Sequence, residues 1–282
     1  MKLEQLTAQS ARALVPTRDP NGHKGTFGKV LLLCGSRGFT GAAWFAAMGA
    51  LRSGAGVVYL GVPESIYAIE AIKLNEPVIF PLPEAGGKLS SQSFLEIRER
   101  LPQMKAVLIG CGLGQSQGTR EVVKSVLQHA QCPVVLDADG INVMARHKDI
   151  LRRRTAPTIL TPHDWEFVRI GGILQKDRME AASKLAWELN SIVVLKGHET
   201  CITDGVRSYV NRTGNSGMAK GGSGDVLAGL ITGLLGQGMD PLQAAACGVY
   251  YHGAAGDLCA QELGEYGMLP TDYLDYLPRL MK

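Results

Sequence analysis

The sequence predicts an α/β protein with a mostly parallel central sheet and helices on both faces. Short runs rich in Val, Ile and Leu alternate with helix-patterned runs along most of the 282 residues. Most of these β-rich runs end in a glycine-rich or polar turn, so such turns gather along one rim. In open parallel sheets that rim, beyond the carboxyl ends of the strands, is where ligands bind.

Lys29–Gly35 reads as a buried strand, and the Ala-rich run from Gly41 to Arg52 as the helix after it. Val57–Val62 is the second strand, with a helix over Ser65–Leu74. A third strand, Ala106–Gly112, precedes a helix near Thr119–His129. The fourth is Pro133–Asp139 and the fifth Thr158–Thr161. A helix at Arg178–Leu189 leads to the sixth, Ile192–Lys196. The pattern then changes. Thr200–Thr203 and Arg207–Val210 flank Asp204-Gly205, a strong hairpin signal. Two apolar helices complete the reading, Asp225–Leu235 and Pro241–Leu263, the second with Asp240 as N-cap and Pro241 at N1. With no long linker, low-complexity segment or repeat, residues 1–282 are expected to form one domain.

Hydrophobic content of 45% and charged content of 20% are ordinary for a globular protein. A net charge of +3, with Arg152-Arg153-Arg154 as the densest basic run, gives no reason to expect nucleic acid. No apolar run has signal-peptide or membrane-spanning length, so a cytoplasmic protein without a membrane partner is expected. The cysteines (Cys34, Cys111, Cys132, Cys201, Cys247 and Cys259) form no Cys-x-x-Cys pair. They read as buried, reduced thiols, and no ligand spacing points to structural zinc.

The richest chemical signal is the run from Asn211 to Gly229, which holds six glycines, Lys220 and Asp225. A glycine loop at a helix N-terminus offers free N–H groups and the positive end of the helix dipole, hence an anion site. A carboxylate beside bound phosphate is repelled, so Asp225 there reads as a base that takes a proton from an attacking hydroxyl. The plain alternative is a helix with an acidic first turn.

Other rim motifs are more ambiguous. Lys196-Gly-His-Glu-Thr200 could contact phosphate or ribose, or be a simple strand-end turn. His163 and Glu166, in Thr161-Pro-His-Asp-Trp-Glu166, could position a substrate and a magnesium ion. Equally, they could cap the next helix. Asp137 and Asp139 are a second-tier pair, and His252 and Asp257 read as a satisfied core histidine and a helix-end acid. There is no Walker-type P-loop. Gly110-x-Gly112-x-Gly114 with Asp137 is only a weak echo of a dinucleotide-binding fingerprint.

Taken together these motifs resemble the bacterial nucleotide-dependent NAD(P)H-hydrate dehydratases of the ribokinase-like superfamily. The resemblance rests on His23–Gly28, Gly35–Ala42, Arg52–Gly56, Gly110–Gly114, Leu136–Asp139 with Asn142, Thr161–His163 with Glu166, Leu195–Thr200 and Gly217–Gly229, in the family's order. It implies a three-layer, ribokinase-like fold and a lyase of metabolite repair. The lyase would dehydrate hydrated NADH or NADPH with ADP or ATP as cosubstrate and Mg2+ as cofactor, in a homo-oligomer such as a homotetramer. It further implies that Ala42, Gly112, Gly114, His163 and Asp225 hold the hydrate. Lys196, Gly197, His198, Glu199, Thr200, Gly222 and Gly224 would hold the nucleotide, with Glu166 at magnesium and Asp225 catalytic. The N–H groups of Gly222 to Gly224 would stabilise the transferred phosphoryl group. Two residues depart from the family pattern: Trp165 replaces its usual glycine, and Cys111 a frequent proline. No segment of domain length precedes His23, so the epimerase domain fused to some relatives is not expected. A small-molecule kinase of the same superfamily is the alternative reading, and a non-catalytic nucleotide-binding protein a more distant one.

Overall fold

A computed structural model of the protein describes residues 2–281. Its centre is a ten-stranded sheet of order β1-β12-β11-β10-β9-β8-β7-β2-β3-β4. The strands are β1 (Lys2–Gln5), β2 (Lys29–Leu33), β3 (Val57–Pro63), β4 (Val78–Leu82), β7 (Ala106–Ile109), β8 (Val134–Leu136), β9 (Thr158–Leu160), β10 (Ile192–Leu195), β11 (Thr200–Thr203) and β12 (Arg207–Asn211). A two-stranded ribbon, β5 (Glu84–Ala85) and β6 (Lys88–Leu89), stands apart. All pairings in the large sheet are parallel except those of β11, which is antiparallel to both β10 and β12. The predicted hairpin is therefore present. Its loop spans three residues: Gly205 adopts φ +90°, and Asp204 Oδ1 accepts the N–H groups of Val206 and Arg207.

Alternation along each strand builds the three layers. Val30, Leu32, Leu60, Leu108, Val135, Ile159 and Val194 pack on one face with α2 (Thr40–Arg52), α10 (Ser223–Gly236) and α11 (Pro241–Gly267). Leu31, Leu33, Val107, Ile109, Leu136, Leu160 and Val193 face the other way, against α4 (Ser93–Arg100), α5 (Gln117–His129) and α9 (Arg178–Leu189). Successive side chains of a strand point to opposite faces, so continuous apolar runs are what a sheet covered on both sides requires.

The remaining helices are short or peripheral: α1 (Ala8–Leu14), α3 (Glu64–Lys73), α6 (Asp139–Met144), α7 (Lys148–Arg153), α8 (Asp164–Arg169), α12 (Pro270–Leu274) and α13 (Leu277–Leu280). The sequence reading omitted β4. Pro81 within Val78–Leu82 reads as a breaker, but β4 is an edge strand, where a missing N–H costs no ladder bond. It also omitted β1, a short charged segment at the opposite edge that pairs only with β12. The second C-terminal helix continues to Gly267, but Gly264 (φ 74°) kinks it immediately after the predicted end at Leu263. Asp240 caps it through the N–H groups of Leu242 and Gln243, with Pro241 in its first turn.

α2 and α10 pack through their main chains. A Cβ at Gly49 would lie 2.4 Å from the Val226 carbonyl oxygen, one at Gly229 2.1 Å from that of Ala46, and one at Gly233 2.6 Å from that of Ala50. The two helices run in the same direction, so both begin at the rim where the strands end. Among the described residues, no helix is long and apolar enough to cross a membrane.

Candidate active site

The glycine loop closes on α10 through Gly222, its N-cap, at φ +97°. A side chain at Gly222 would meet the Phe45 ring at 2.5 Å, so conformation and space both require glycine. The Ser223 N–H turns back to the Lys220 carbonyl and that of Val226 to the Gly222 carbonyl. The Gly224 and Asp225 N–H groups are left as the unbonded donors of the first turn. This modifies the expectation for the loop, because the Ser223 donor is committed. Lys220 is not an anion ligand either: its Nζ donates to the carbonyls of Glu265 (3.2 Å), Tyr266 (3.1 Å) and Met268 (2.5 Å), pinning the loop to the end of α11. Asp257, expected as a helix-end acid, lies within α11. It accepts the Gly214 N–H (2.9 Å) and Asn215 Nδ2 (3.0 Å), holding the loop from beneath.

Asp225, in the first turn of α10, meets two other strand-end groups. Its carboxylate, that of Asp137 after β8 and the Cys111 thiol after β7 bring one ligand atom each within 4.8 Å of one another. Asp137, treated as second-tier from the sequence, is 2% exposed and central. Its Oδ1 accepts from Thr161 Oγ1 (2.6 Å) and Lys196 Nζ (3.1 Å), and its Oδ2 accepts from the Cys111 thiol (3.4 Å). Lys196 Nζ also lies 3.9 Å from Glu166 Oε2. Burial pulls the Lys196 ammonium down, but the carboxylates of Asp137 and Glu166 more than reverse this, so it stays charged. Burial raises Asp225, and the neighbouring Asp137 adds to it. The Cys111 hydrogen bond and Lys196 pull back, leaving the carboxyl at about 7. A carboxylate poised near neutrality suits a general base.

At the start of α8, His163 and Glu166 form the capping arrangement. His163 is the N-cap: its Nδ1 accepts the N–H groups of Trp165 (3.1 Å) and Glu166 (3.4 Å), while Glu166 Oε2 accepts the His163 N–H (3.0 Å). With Nδ1 accepting, the ring proton sits on Nε2, 3.4 Å from Glu166 Oε1. Trp165 occupies an ordinary helical position in the first turn and turns its indole outward, 76% exposed, so the turn does not need a glycine here. Three carboxylates (Asp137, Glu166 and Asp225) face one ammonium in this cluster. The hard oxygen donors of Glu166, beside this surplus negative charge, fit a magnesium ion. Because both Glu166 oxygens already face His163, Glu166 suits contact through a water.

A cavity of about 790 Å³ opens beside this cluster. Asp225, Gly222, Gly224, His163, Glu166 and all of Lys196 to Thr200 line it, so the fold brings together most of the predicted residues. Two non-glycine residues in its wall hold positive φ, Ala138 (46°) and Glu199 (55°), and such strain gathers at functional sites. The Thr200 hydroxyl donates to the Gly197 carbonyl (2.9 Å), so it stabilises its own turn. Ala42, Gly112 and Gly114 do not line the cavity. Ala42 and Gly112 pack together on the α2 side of the rim, where a Cβ on Gly112 would meet that of Ala42 at 2.6 Å. Gly114 is tied by its N–H to Asp139 Oδ2 (2.8 Å). His252 lines the cavity too: a hydrogen bond to the Ser223 backbone serves its ring, while its Nε2 is buried without a partner. Burial holds its imidazole down at about 4, so it is neutral at physiological pH.

The geometry fixes a pH prediction. If Asp225 must be ionised to act, kcat/KM should rise through pH 7. Asp137 raises the Asp225 carboxyl, so Asp137→Asn should move the acid limb of the profile to lower pH. A limb that stays near pH 7 in this variant would remove Asp137 from that role.

A ten-stranded, mostly parallel sheet with an acid at a glycine-lined helix N-terminus places the protein in the ribokinase-like class. A ribokinase-like superfamily protein from Enterococcus faecalis shares this architecture, with a TM-score of 0.87 and 27% identity over 99% of this chain and 95% of that one. The NAD(P)H-hydrate dehydratase family profile matches residues 30–279, and the chain belongs to that family. It is 40% identical to the ADP-dependent (S)-NAD(P)H-hydrate dehydratase of Bacillus subtilis, over 98% of this chain and 97% of that protein. The crystal structure of the Bacillus enzyme grown with ATP and Mg2+ superposes with a TM-score of 0.85, covering 99% and 98% of the two chains at 35% identity. It is also 43% identical to a bifunctional NAD(P)H-hydrate repair enzyme of Moorella thermoacetica. There the match covers 98% of this chain but 53% of the relative, so the chain spans about half the length of such bifunctional proteins. The family is enzymatic and decides for the dehydratase over the small-molecule kinase.

Proposed function

We propose that the protein dehydrates hydrated NADH or NADPH back to the reduced nicotinamide cofactor, using ADP or ATP as cosubstrate. The observation that carries this reading is Asp225, a carboxyl raised to about 7, standing beside the unbonded N–H groups of a helix N-terminus. Asp225 takes the proton of the hydrate's hydroxyl as that oxygen attacks the terminal phosphoryl group. The Gly224 and Asp225 N–H groups receive the charge on the phosphoryl oxygens. Hydroxide is a poor leaving group and phosphate a good one. The ring-nitrogen lone pair expels phosphate to leave an iminium, loss of a proton from the adjacent ring carbon to solvent restores the double bond, and AMP (from ADP) or ADP (from ATP) is left. Glu166 would hold a magnesium ion through a water, and the ion would supply neutralising charge to the nucleotide phosphates.

His163 and the Ala42–Gly112–Gly114 side of the rim take the hydrate. The Lys196–Thr200 turn and Gly222–Gly224 take the nucleotide. The two hydrophobic layers share one sheet, which supports a single domain. Six free cysteines suit a reducing, cytoplasmic setting, and we infer a homo-oligomer from the resemblance. The test mixes hydrated NADH, ADP or ATP, and magnesium with folded protein. Absorbance at the reduced-nicotinamide wavelength should return only when nucleotide is present; no recovery would sink the reading.

A further inference from the structure

The Cys111 thiol reaches into the catalytic cluster, and it changes what that cluster can bind. Cys111 is fully buried in the turn after β7. That turn is fixed because Gly110, at φ +139°, abuts the Asp137 carbonyl so closely that a Cβ there would lie 1.9 Å from the oxygen. Asp137 divides its oxygens. Oδ1 is taken by Thr161 and Lys196, which leaves Oδ2 turned toward the thiol. Asp225 completes the set, with one atom of each side chain within 4.8 Å of the others, and lines the cavity that gives access from solvent. One thiol and two carboxylates on rigid elements form a chelating set. Their spacing needs only a modest contraction to reach tetrahedral ligand distances. Lys196 and Thr161 already orient Asp137 from behind, as outer partners of metal ligands do.

We propose that Cys111, Asp137 and Asp225 form a binding site for a soft divalent cation of the zinc type. The thiol selects against magnesium, because soft sulfur ligands favour zinc and its neighbours over hard ions. On binding, the Cys111 S–H proton passes to solvent and a sulfur–metal bond replaces the hydrogen bond to Asp137. Oδ2 of Asp137 and one oxygen of Asp225 supply the second and third bonds, and a water from the cavity the fourth. A cation seated there engages the lone pair that Asp225 needs as a base, so zinc at stoichiometric concentration stops turnover. That last consequence rests on the proposed function; the site itself does not.

Cobalt(II) is the probe, added to the intact nucleotide-free protein. The expected result is one cobalt per chain with tetrahedral visible bands and a thiolate-to-cobalt absorption in the near ultraviolet. Zinc should bleach both and millimolar magnesium neither. Cys111→Ala should lose the thiolate absorption and stoichiometric binding, while Cys132→Ala, which changes the half-buried cysteine between α5 and β8, should keep them. Asp225→Asn leaves the thiol in place and should weaken binding, which guards against misfolding of the cysteine variant. Absent thiolate absorption in the unaltered protein, or its survival in Cys111→Ala, overturns the proposal. Activity with ADP and magnesium, measured before and after zinc and then chelator, tests inhibition separately. No activity before zinc would count against the proposed reaction, and the cobalt spectra would still decide the site.

Discussion

Asp225→Asn should bind nucleotide normally and lose at least about two orders of magnitude in rate, the usual worth of a general base. The amide keeps the size of the carboxyl and cannot take the hydroxyl proton. The same variant should be more stable than the parent at pH 8. A carboxyl that binds its proton more tightly when folded favours the fold at low pH, and that contribution disappears as pH rises from the ordinary carboxylate range to about 7. Above that window the ionised, buried Asp225 destabilises the fold by up to about a few kcal/mol. Asparagine carries no such charge, so thermal melts of the two proteins should diverge as pH rises from 5 to 8. A variant that is inactive but gains no stability would mean that Asp225 is already ionised well below neutrality. A variant of near-normal rate would remove it as the base and favour a protein that only binds nucleotide.

Gly229→Ala should lower the melting temperature, against the direction that helix propensity alone gives. Alanine is better than glycine in a helix interior by about 1 kcal/mol. At this position, however, the added methyl would lie 2.1 Å from the Ala46 carbonyl oxygen of the neighbouring helix, and a main-chain atom cannot rotate away. Overpacking of this kind costs about 1–3 kcal/mol or more, so the clash outweighs the propensity gain. For a chain of this size each kcal/mol shifts the midpoint by about 2–4 °C. Gly267→Ala is the control, because nothing lies within 4 Å of a Cβ there and its φ is not positive. Equal melting of the two variants would show that α2 and α10 can separate without cost.

Much of this was legible in the sequence, for identifiable reasons. Strands buried on both faces leave continuous apolar runs, which marked β2, β3, β7, β8, β9 and β10. The Asp225 loop was legible because glycine, acid and apolar helix are adjacent in the chain. Asp137 was not, because its importance comes from Lys196, Thr161 and Cys111, between 24 and 59 residues away. Cys111 read as one more buried thiol, since nothing local places it beside Asp225. His252 and Asp257 were misread for a similar reason. An apolar helical pattern states that a face is buried, and says nothing about a loop that crosses over it. The partners of Lys220 were not legible either, because the helix-end carbonyls that bind it lie about 45 residues further along the chain.

The glycine seam between α2 and α10 also limits how this enzyme can be controlled. Switching by helix movement needs two alternative packings, normally supplied by side chains that interlock in either of two arrangements. A contact made of carbonyl oxygens against bare Cα atoms offers one arrangement and no second well. Asp225 and the start of α2 are thereby held in fixed relation, and the glycine loop shares that rigidity through Lys220 and Asp257.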